Sequence, residues 1–301
     1  MDHYTTGHVI AGRYVLAGLL GEGGYGVVHR AVDLLTAQAV ALKLLRHDIR
    51  NDREFSIRLM REAQALSALQ GTSAVEVYDI GNDRAGVRFL VMELLAGRDF
   101  DQYLREIEAK GGRLAVAELF ELLEPVVRTL EAAHAQGIVH RDIKPSNIYL
   151  TDEVGPRRVR LLDFGLAKIL GAAKLTAQGK VAGSPHYIAP EAWAGNPSAL
   201  DHRIDLYALG VLVFRALAGR LPFTTKAFAE LLYLTRYAPR PSLVDARREL
   251  PPAVDDWVKK AFAPDPNERF QDVRSMWDAL LAIVPHPPLS SSSPGASSRG
   301  R

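Results

Sequence analysis

Between Arg13 and Met92 the hydrophobic positions fall in short runs, RYVLAGLL, YGVVHRAV, AVALKLL, AVEVYDI and RFLVMEL, whose length and β-branched content predict strands. One segment among them, roughly 52–69, has helical spacing instead. After Leu95, Ala96 and Gly97 the period changes: Val116, Leu119, Phe120, Leu123, Val127 and Leu130 recur at three- and four-residue steps and predict a long helix. Pro125 sits inside that pattern, where it removes one backbone hydrogen bond, so a bend within one helix is expected rather than two helices. Further helices are predicted at 203–218, ended by Gly219, and at 226–235, 253–262 and 270–283. The two patterns describe an α+β chain of two lobes, a β-rich one with one helix and then a larger, mainly helical one. The final sixteen residues, HPPLSSSSPGASSRGR, carry Pro, Ser and Gly without periodic apolar content, so 286–301 reads as a disordered tail or linker.

Composition narrows the partners. With 301 residues and 48% hydrophobic content the chain can bury an ordinary core. Lys plus Arg (37) nearly balances Asp plus Glu (35), a net charge of +2 that gives no field suited to nucleic acid or a membrane surface. The absence of cysteine excludes disulfides, thiolate catalysis and Cys-based zinc sites, and fits a reducing compartment such as the cytoplasm. No signal-peptide pattern opens the sequence. The most apolar stretch, 204–218, is about fifteen residues long where a bilayer span needs about twenty. It also contains Asp205 and Arg215, so a buried core helix and no membrane span is the expectation.

Chemistry enters with Gly21-Glu22-Gly23-Gly24-Tyr25-Gly26-Val27-Val28, a G-x-G-x-x-G-x-V pattern in which glycines let backbone amides approach a phosphate. By itself it is equally an ordinary turn. A dinucleotide fingerprint needs a helix directly after the glycines, whereas Val27 to Val32 reads as a strand. Lys43, inside the apolar run Val40-Ala41-Leu42-Lys43, is either a snorkelling edge lysine or a buried cation that needs partners. Its protein partner would be Glu62, and its ligand partner the α- and β-phosphates of a nucleotide. His140-Arg141-Asp142-Ile143-Lys144-Pro145-Ser146-Asn147 gathers a base, a cation and a metal-ligating amide. Asp163-Phe164-Gly165, after the strand-like VRLL, offers a hard carboxylate oxygen to magnesium.

Taken in order, these segments make the chain resemble the eukaryotic-like protein kinases, and the bacterial serine/threonine kinases in particular. The likeness runs from about Arg13 to Pro285 through the glycine loop, VALK, Glu62, HRDIKPSN, DFG, Ala189-Pro190-Glu191, Asp205 in DLYALG and Arg269 in NERF. It implies a bilobal protein-kinase fold with an extension over 1–12, an N-lobe over 13–92, a hinge over 93–97 and a C-lobe over 98–285. It also implies ATP, Mg2+ (or Mn2+ in its place) and protein substrates bearing Ser or Thr. Asp142 becomes the base, Lys144 the γ-phosphate cation, Asn147 and Asp163 the metal ligands, and Lys43 with Glu62 the pair that orients the α- and β-phosphates.

The resemblance further implies that Leu20, Gly21, Glu22, Gly23, Gly24, Tyr25 and Gly26 cover the nucleotide. Val28, Ala41 and Tyr149 would sandwich the adenine, Met92 would be the gatekeeper, Glu93 and Leu95 would bind through backbone groups, and Asp99 would lie near the ribose. Glu191 would pair with Arg269, Asp205 would anchor the catalytic loop, and His140 would pack beneath Phe164 rather than act as a base. Tyr149 departs from the usual aliphatic residue, Ser146 stands where arginine-directed kinases carry glutamate, and Ser184 replaces the usual threonine. Between Gly165 and Gly183 the one hydroxyl side chain is Thr176. The resemblance makes it the autophosphorylation site facing Arg141, through a transient homodimer. Two rivals are a pseudokinase that binds nucleotide without transfer and a small-molecule kinase, against which the long 163–191 segment argues.

Overall fold

The computed structural model describes residues 4–23, 26–45, 69–84, 86–164, 185–194, 200–225 and 227–286. Its strands are β1 (Val9–Ile10), β2 (Tyr14–Gly23), β3 (Gly26–Asp33), β4 (Ala39–Leu45), β5 (Val77–Asn82), β6 (Arg88–Glu93), β7 (Gly97–Asp99), β8 (Ile148–Thr151) and β9 (Val159–Leu161). Its helices are α1 (Phe100–Glu108), α2 (Val116–Ala135), α3 (Arg203–Ala218), α4 (Phe228–Tyr237), α5 (Leu243–Ala246), α6 (Val254–Ala261) and α7 (Val273–Ile283).

The first six strands form one antiparallel sheet in the order β1-β2-β3-β4-β6-β5. Because successive side chains in a strand point to opposite faces, the β4 run divides in two. Val40, Leu42 and Leu44 join Ile10, Tyr14, Leu16, Ala31, Phe89 and Val91 in a small core. Ala41 packs instead with Val75, Leu90 and Met92, beside Val28, Val77 and Leu162. Lys43 shares the parity of Ala41, so the sheet face that carries a cation is also the face that carries a small apolar cluster. The register supports this: Lys43 sits between Val28 of β3 and Leu90 of β6, and Ala41 faces Met92.

A second, three-stranded sheet, β7-β8-β9, lies where the chain passes from strands to helices. The 72–76 stretch reaches over to it: Leu161 donates to the Ser73 carbonyl and receives Val75 N–H at its own. The helical core gathers Leu119, Phe120, Leu123, Val126, Val127 and Leu130 of α2, almost all of α3, and Trp257, Met276, Trp277 and Leu280. Each such fully buried large apolar side chain contributes about 1.5–3 kcal/mol.

Among the described residues the helices predicted from about 116 onward are present, with ends that agree or shift by a few residues. The 203–218 helix is buried along nearly its whole length and stops at Gly219 in the left-handed conformation (φ 71), where a Cβ would lie 2.8 Å from the Gly112 carbonyl oxygen. The Pro125 segment forms a single helix, with Thr129 Oγ1 donating to the Pro125 carbonyl at 2.8 Å. Of the small second sheet only β9, in the strand-like VRLL, was visible in the sequence; α1, β7 and β8 are short and mix polar with apolar residues. His286, assigned to the tail from composition, has its ring 4.7 Å from buried Phe120. The helix expected over 52–69 lies outside the described residues except at its end. Among the described residues no helix is long and apolar enough to cross a membrane.

Candidate active site

Lys43 is buried in the middle of β4, and its Nζ donates to Asp163 Oδ1 at 2.6 Å. An ammonium buried there without an anion would be costly; the carboxylate answers it. Burial opposes charge on Asp163, but the Lys43 charge and hydrogen bond outweigh it and hold the carboxyl below its ordinary range. Asp163 has φ 57, a left-handed conformation that costs a non-glycine residue on the order of 1–3 kcal/mol and is retained where the surroundings impose it. The sequence assigned Lys43 to phosphates and Asp163 to a metal; their direct contact is a tertiary finding. Glu62, the partner expected for Lys43, lies outside the described residues.

The loop between α2 and β8 is held from below by Asp205 in the first turn of α3. Its Oδ2 accepts from His140 N (2.8 Å) and pairs with His134 Nε2 (2.9 Å), while its Oδ1 accepts from Arg141 N (2.7 Å). Burial works against charge on Asp205, but the His134 hydrogen bond and charge, with His140 and the Arg141 N–H, keep its carboxyl below the usual range. Arg141 itself takes φ 68, a left-handed conformation directly before Asp142. Asp142 Oδ2 then receives Lys144 Nζ at 2.6 Å and Asn147 Nδ2 at 3.0 Å, and Asn147 Nδ2 also donates to the Asp142 carbonyl at 2.7 Å. His140 is fully buried, packs tilted against Phe164 with ring centroids 4.5 Å apart and engages the Leu162 carbonyl at 2.9 Å. Burial pushes its imidazole below the ordinary value, as suits a neutral packing group.

In the apolar cluster Ala41 and Met92 pack together with Val28 against them, and Leu95 is half-buried. Leu20 is exposed at the outer edge of β2, followed by half-buried Gly21 and exposed Glu22. Two glycines of the G-x-G-x-x-G run separate by cause. A Cβ on Gly26 would fall 2.1 Å from the Leu44 carbonyl oxygen, so strand packing demands glycine there. One on Gly21 would meet no atom within 4 Å, so packing does not require it. The Tyr149 hydroxyl donates to the Gly97 carbonyl at 2.9 Å, and the Asp99 carboxylate caps α1 by accepting from Gln102 N at 2.8 Å. Residues Gly24, Tyr25, Thr176 and Ser184 lie outside the described set, and of Gly23 only its backbone place at the end of β2 is described.

Sequence reading missed the Glu93 side chain. Its carboxylate is buried at the end of β6, accepting from Glu76 N (2.9 Å) and Arg157 Nη2 (2.6 Å), with Arg160 Nε at 3.0 Å. Two arginines of the β8–β9 hairpin thus hold the end of β6. Their separation of more than sixty positions from Glu93 hid the pairing. On the far side, Arg269 is wholly buried and grips Glu191 with two bonds of 2.7 Å, as the sequence implied.

The donor set fits a nucleotide and a hard cation. Asn147 spends its amide nitrogen on Asp142, which leaves its Oδ1, and Asp163 keeps an oxygen beyond the one on Lys43; oxygen ligands few in number suit Mg2+, which completes its shell with phosphates and water. Among the described residues no cluster of three or more His, Asp or Glu side chains could hold a metal ion by itself. Lys43 and Lys144 would supply positive charge to a phosphate bound there.

Comparison with known proteins agrees. Residues 14–280 match the family described as Protein kinase domain. The chain is 36% identical over 294 residues to serine/threonine-protein kinase pkn3 of Myxococcus xanthus, covering 94% of this chain and 52% of that protein. It is 35% identical over 270 residues to serine/threonine-protein kinase PrkC of Bacillus subtilis, covering 90% and 40%. The chain therefore spans about half the length of the curated relatives it matches. Among solved structures, the PknI kinase domain of Mycobacterium tuberculosis superposes with a TM-score of 0.72 at 28% identity, over 94% of this chain and all of that one. An HRD loop hung on a buried Asp205, a Lys43–Asp163 pair and a family match over nearly the whole chain converge: this chain belongs to the protein kinase family, in its bacterial serine/threonine branch.

Proposed function

We propose that the chain transfers the γ-phosphoryl group of ATP to Ser and Thr hydroxyls of protein substrates. The observation that carries this reading is the arrangement of Asp142. Its Oδ2 is occupied by Lys144 and Asn147, and no donor among the described residues takes Oδ1. Oδ1 is therefore the atom left to receive the acceptor's proton as the hydroxyl oxygen bonds to phosphorus and ADP departs. Lys144, fixed at 2.6 Å from Asp142, places its charge beside the same reacting oxygen. Lys43 orients the α- and β-phosphates, and Asp163 with Asn147 would hold the divalent ion. Bound magnesium supplies the charge that neutralises the phosphates; the protein's share is positioning and electrostatics.

Lys144 two residues after Asp142, with the Gly183-Ser184 pair, supports Ser/Thr over Tyr as acceptor. Within the same reading Thr176 is the autophosphorylation site, modified through a transient homodimer, the protein acts in the cytoplasm, and Mn2+ substitutes for Mg2+. Incubation with labelled ATP, magnesium and a lysate of the source cells, followed by phosphosite mapping, tests the proposal. Label should appear on Ser and Thr of other proteins and on Thr176, and not with Asp142→Asn. Equal labelling by Asp142→Asn would refute the assignment of the base.

A further inference from the structure

Tyr149 stands within β8, on the face opposite Ile148 and Leu150. Those two belong to the helical core, whereas Tyr149 is half-buried outside it. Its cross-strand neighbours are Asp99 of β7 and Arg160 of β9. Arg160 in turn reaches Glu93 at the end of β6, with Nε at 3.0 Å, and Met92, the residue before Glu93, pairs with Ala41 of β4. The face of the small sheet that carries Tyr149 therefore turns toward the strands that carry the Ala41 and Met92 cluster.

The ring is pinned. Its hydroxyl donates to the Gly97 carbonyl at 2.9 Å. Gly97 pairs with Thr151, which makes it the diagonal neighbour of Tyr149 and puts it within reach of an aromatic side chain. A Cβ on Gly97 would fall 2.1 Å from the Leu150 carbonyl oxygen, so β7 presents bare backbone at that end of the ring. Burial, with the charges of Asp152 and Asp99, raises the phenol's pKa and keeps the hydroxyl a donor. An aliphatic side chain, the kind the resemblance implies at 149, has neither a hydroxyl for Gly97 nor a π face. A flat ring fixed both at its backbone and at its hydroxyl has little freedom left to lose when a planar ligand lies on it, which favours stacking.

We propose that Tyr149 is a specificity-determining residue for the nucleotide: its fixed ring is a stacking platform that selects a purine by the area of the base. The inference rests on the reading of the chain as an ATP-dependent kinase and adds to it the interaction that reads the base. A purine covers more of an aromatic ring than a pyrimidine does, so this platform discriminates by size, independently of any hydrogen bonds the base makes.

The test uses the full chain as wild type, Tyr149→Phe and Tyr149→Leu, with magnesium present, and measures binding rather than transfer. Dissociation constants are taken for ATP, CTP and inorganic tripolyphosphate, the last carrying phosphates without a base. A further probe, 2-aminopurine riboside triphosphate, loses fluorescence when its base stacks on an aromatic ring. Tyr149→Leu should weaken ATP about tenfold and CTP about threefold, leave tripolyphosphate within about twofold, and lose the quenching. Tyr149→Phe keeps the ring but frees it from Gly97, so it should weaken ATP about threefold and keep most of the quenching. Equal weakening of all three ligands in Tyr149→Leu overturns the proposal, since that marks a loosened site rather than a lost stack. Unchanged ATP binding or unchanged quenching in the same variant overturns it too. Should Tyr149→Leu fail to fold, Tyr149→Met, which adapts to the same space, takes its place, and absence of quenching in the wild type overturns the proposal whatever the variants do. Transfer is scored separately: nucleotide binding without transfer defeats the kinase reading and leaves the role of Tyr149 standing, whereas a wild type that binds no nucleotide defeats both.

Discussion

Two glycines of the same loop should fail in different assays. An alanine at Gly26 would bring its Cβ 2.1 Å from the Leu44 carbonyl oxygen, 3.0 Å from its carbon and 3.3 Å from the Leu45 Cα. These are backbone atoms of the adjoining strand, which cannot rotate away as a side chain would. Relief requires β3 and β4 to separate by about 1 Å at a point where Gly26 pairs with Leu45, so the ladder between them weakens. Overpacking of this kind costs about 1–3 kcal/mol. For a domain of this size each kcal/mol lowers the melting temperature by about 2–4 °C, so Gly26→Ala should melt about 2–12 °C early. Gly21→Ala has open space around its Cβ and no left-handed φ to strain. It should melt with the wild type while raising the KM for ATP several-fold, because the added methyl stands off the approaching phosphate. Thermal melts and ATP-dependent initial rates on the two variants separate the cases. Gly26→Ala melting within about 1 °C of wild type, or Gly21→Ala losing as much as Gly26→Ala, would refute the division into a packing glycine and a nucleotide glycine.

Arg269→Met should destabilise by about 3–5 kcal/mol, since it strands Glu191 and the carbonyls of Ala263 and Pro264 that the guanidinium satisfies; an unfolding free energy from urea titration within about 1 kcal/mol of wild type would contradict this. Lys43→Met, Asp142→Asn and Asp163→Asn should each abolish transfer, and nucleotide titrations should tell them apart: Asp163→Asn loses magnesium-dependent ATP binding, whereas Asp142→Asn binds ATP nearly normally. Asp205, whose folded carboxyl lies below the ordinary range, stabilises fully above the unfolded value of about 4 and loses that contribution as pH falls through its folded value. Stability measured at pH 7, 5 and 3 should therefore fall less steeply in acid for Asp205→Asn than for wild type, and an identical acid slope would show that this carboxylate is not among those that set it.

The sequence by itself determined the order of the elements and the chemistry they carry. Strand-length runs before Leu95 and three-to-four spacing after it gave two lobes, because burial of one face imposes its period on the residues along the chain. The HRDIKPSN segment was legible for a related reason: Asp142, Lys144 and Asn147 lie close in sequence, so their spacing alone brings them within reach of one another. Asp205 and Arg269 were identified only by resemblance, since nothing local marks a partner sixty or more positions away. The same limit hid the Lys43–Asp163 contact, the Glu93 carboxylate between Arg157 and Arg160, and the bond from Arg215 to Tyr187. These depend on which strand neighbours which and on the turn of a helix, and side-chain reach across such contacts leaves no period to read. Tertiary packing also separated two glycines: Gly21 and Gly26 are the same letter in one motif, and only the Leu44 carbonyl, which leaves no room for a Cβ at Gly26, distinguishes them.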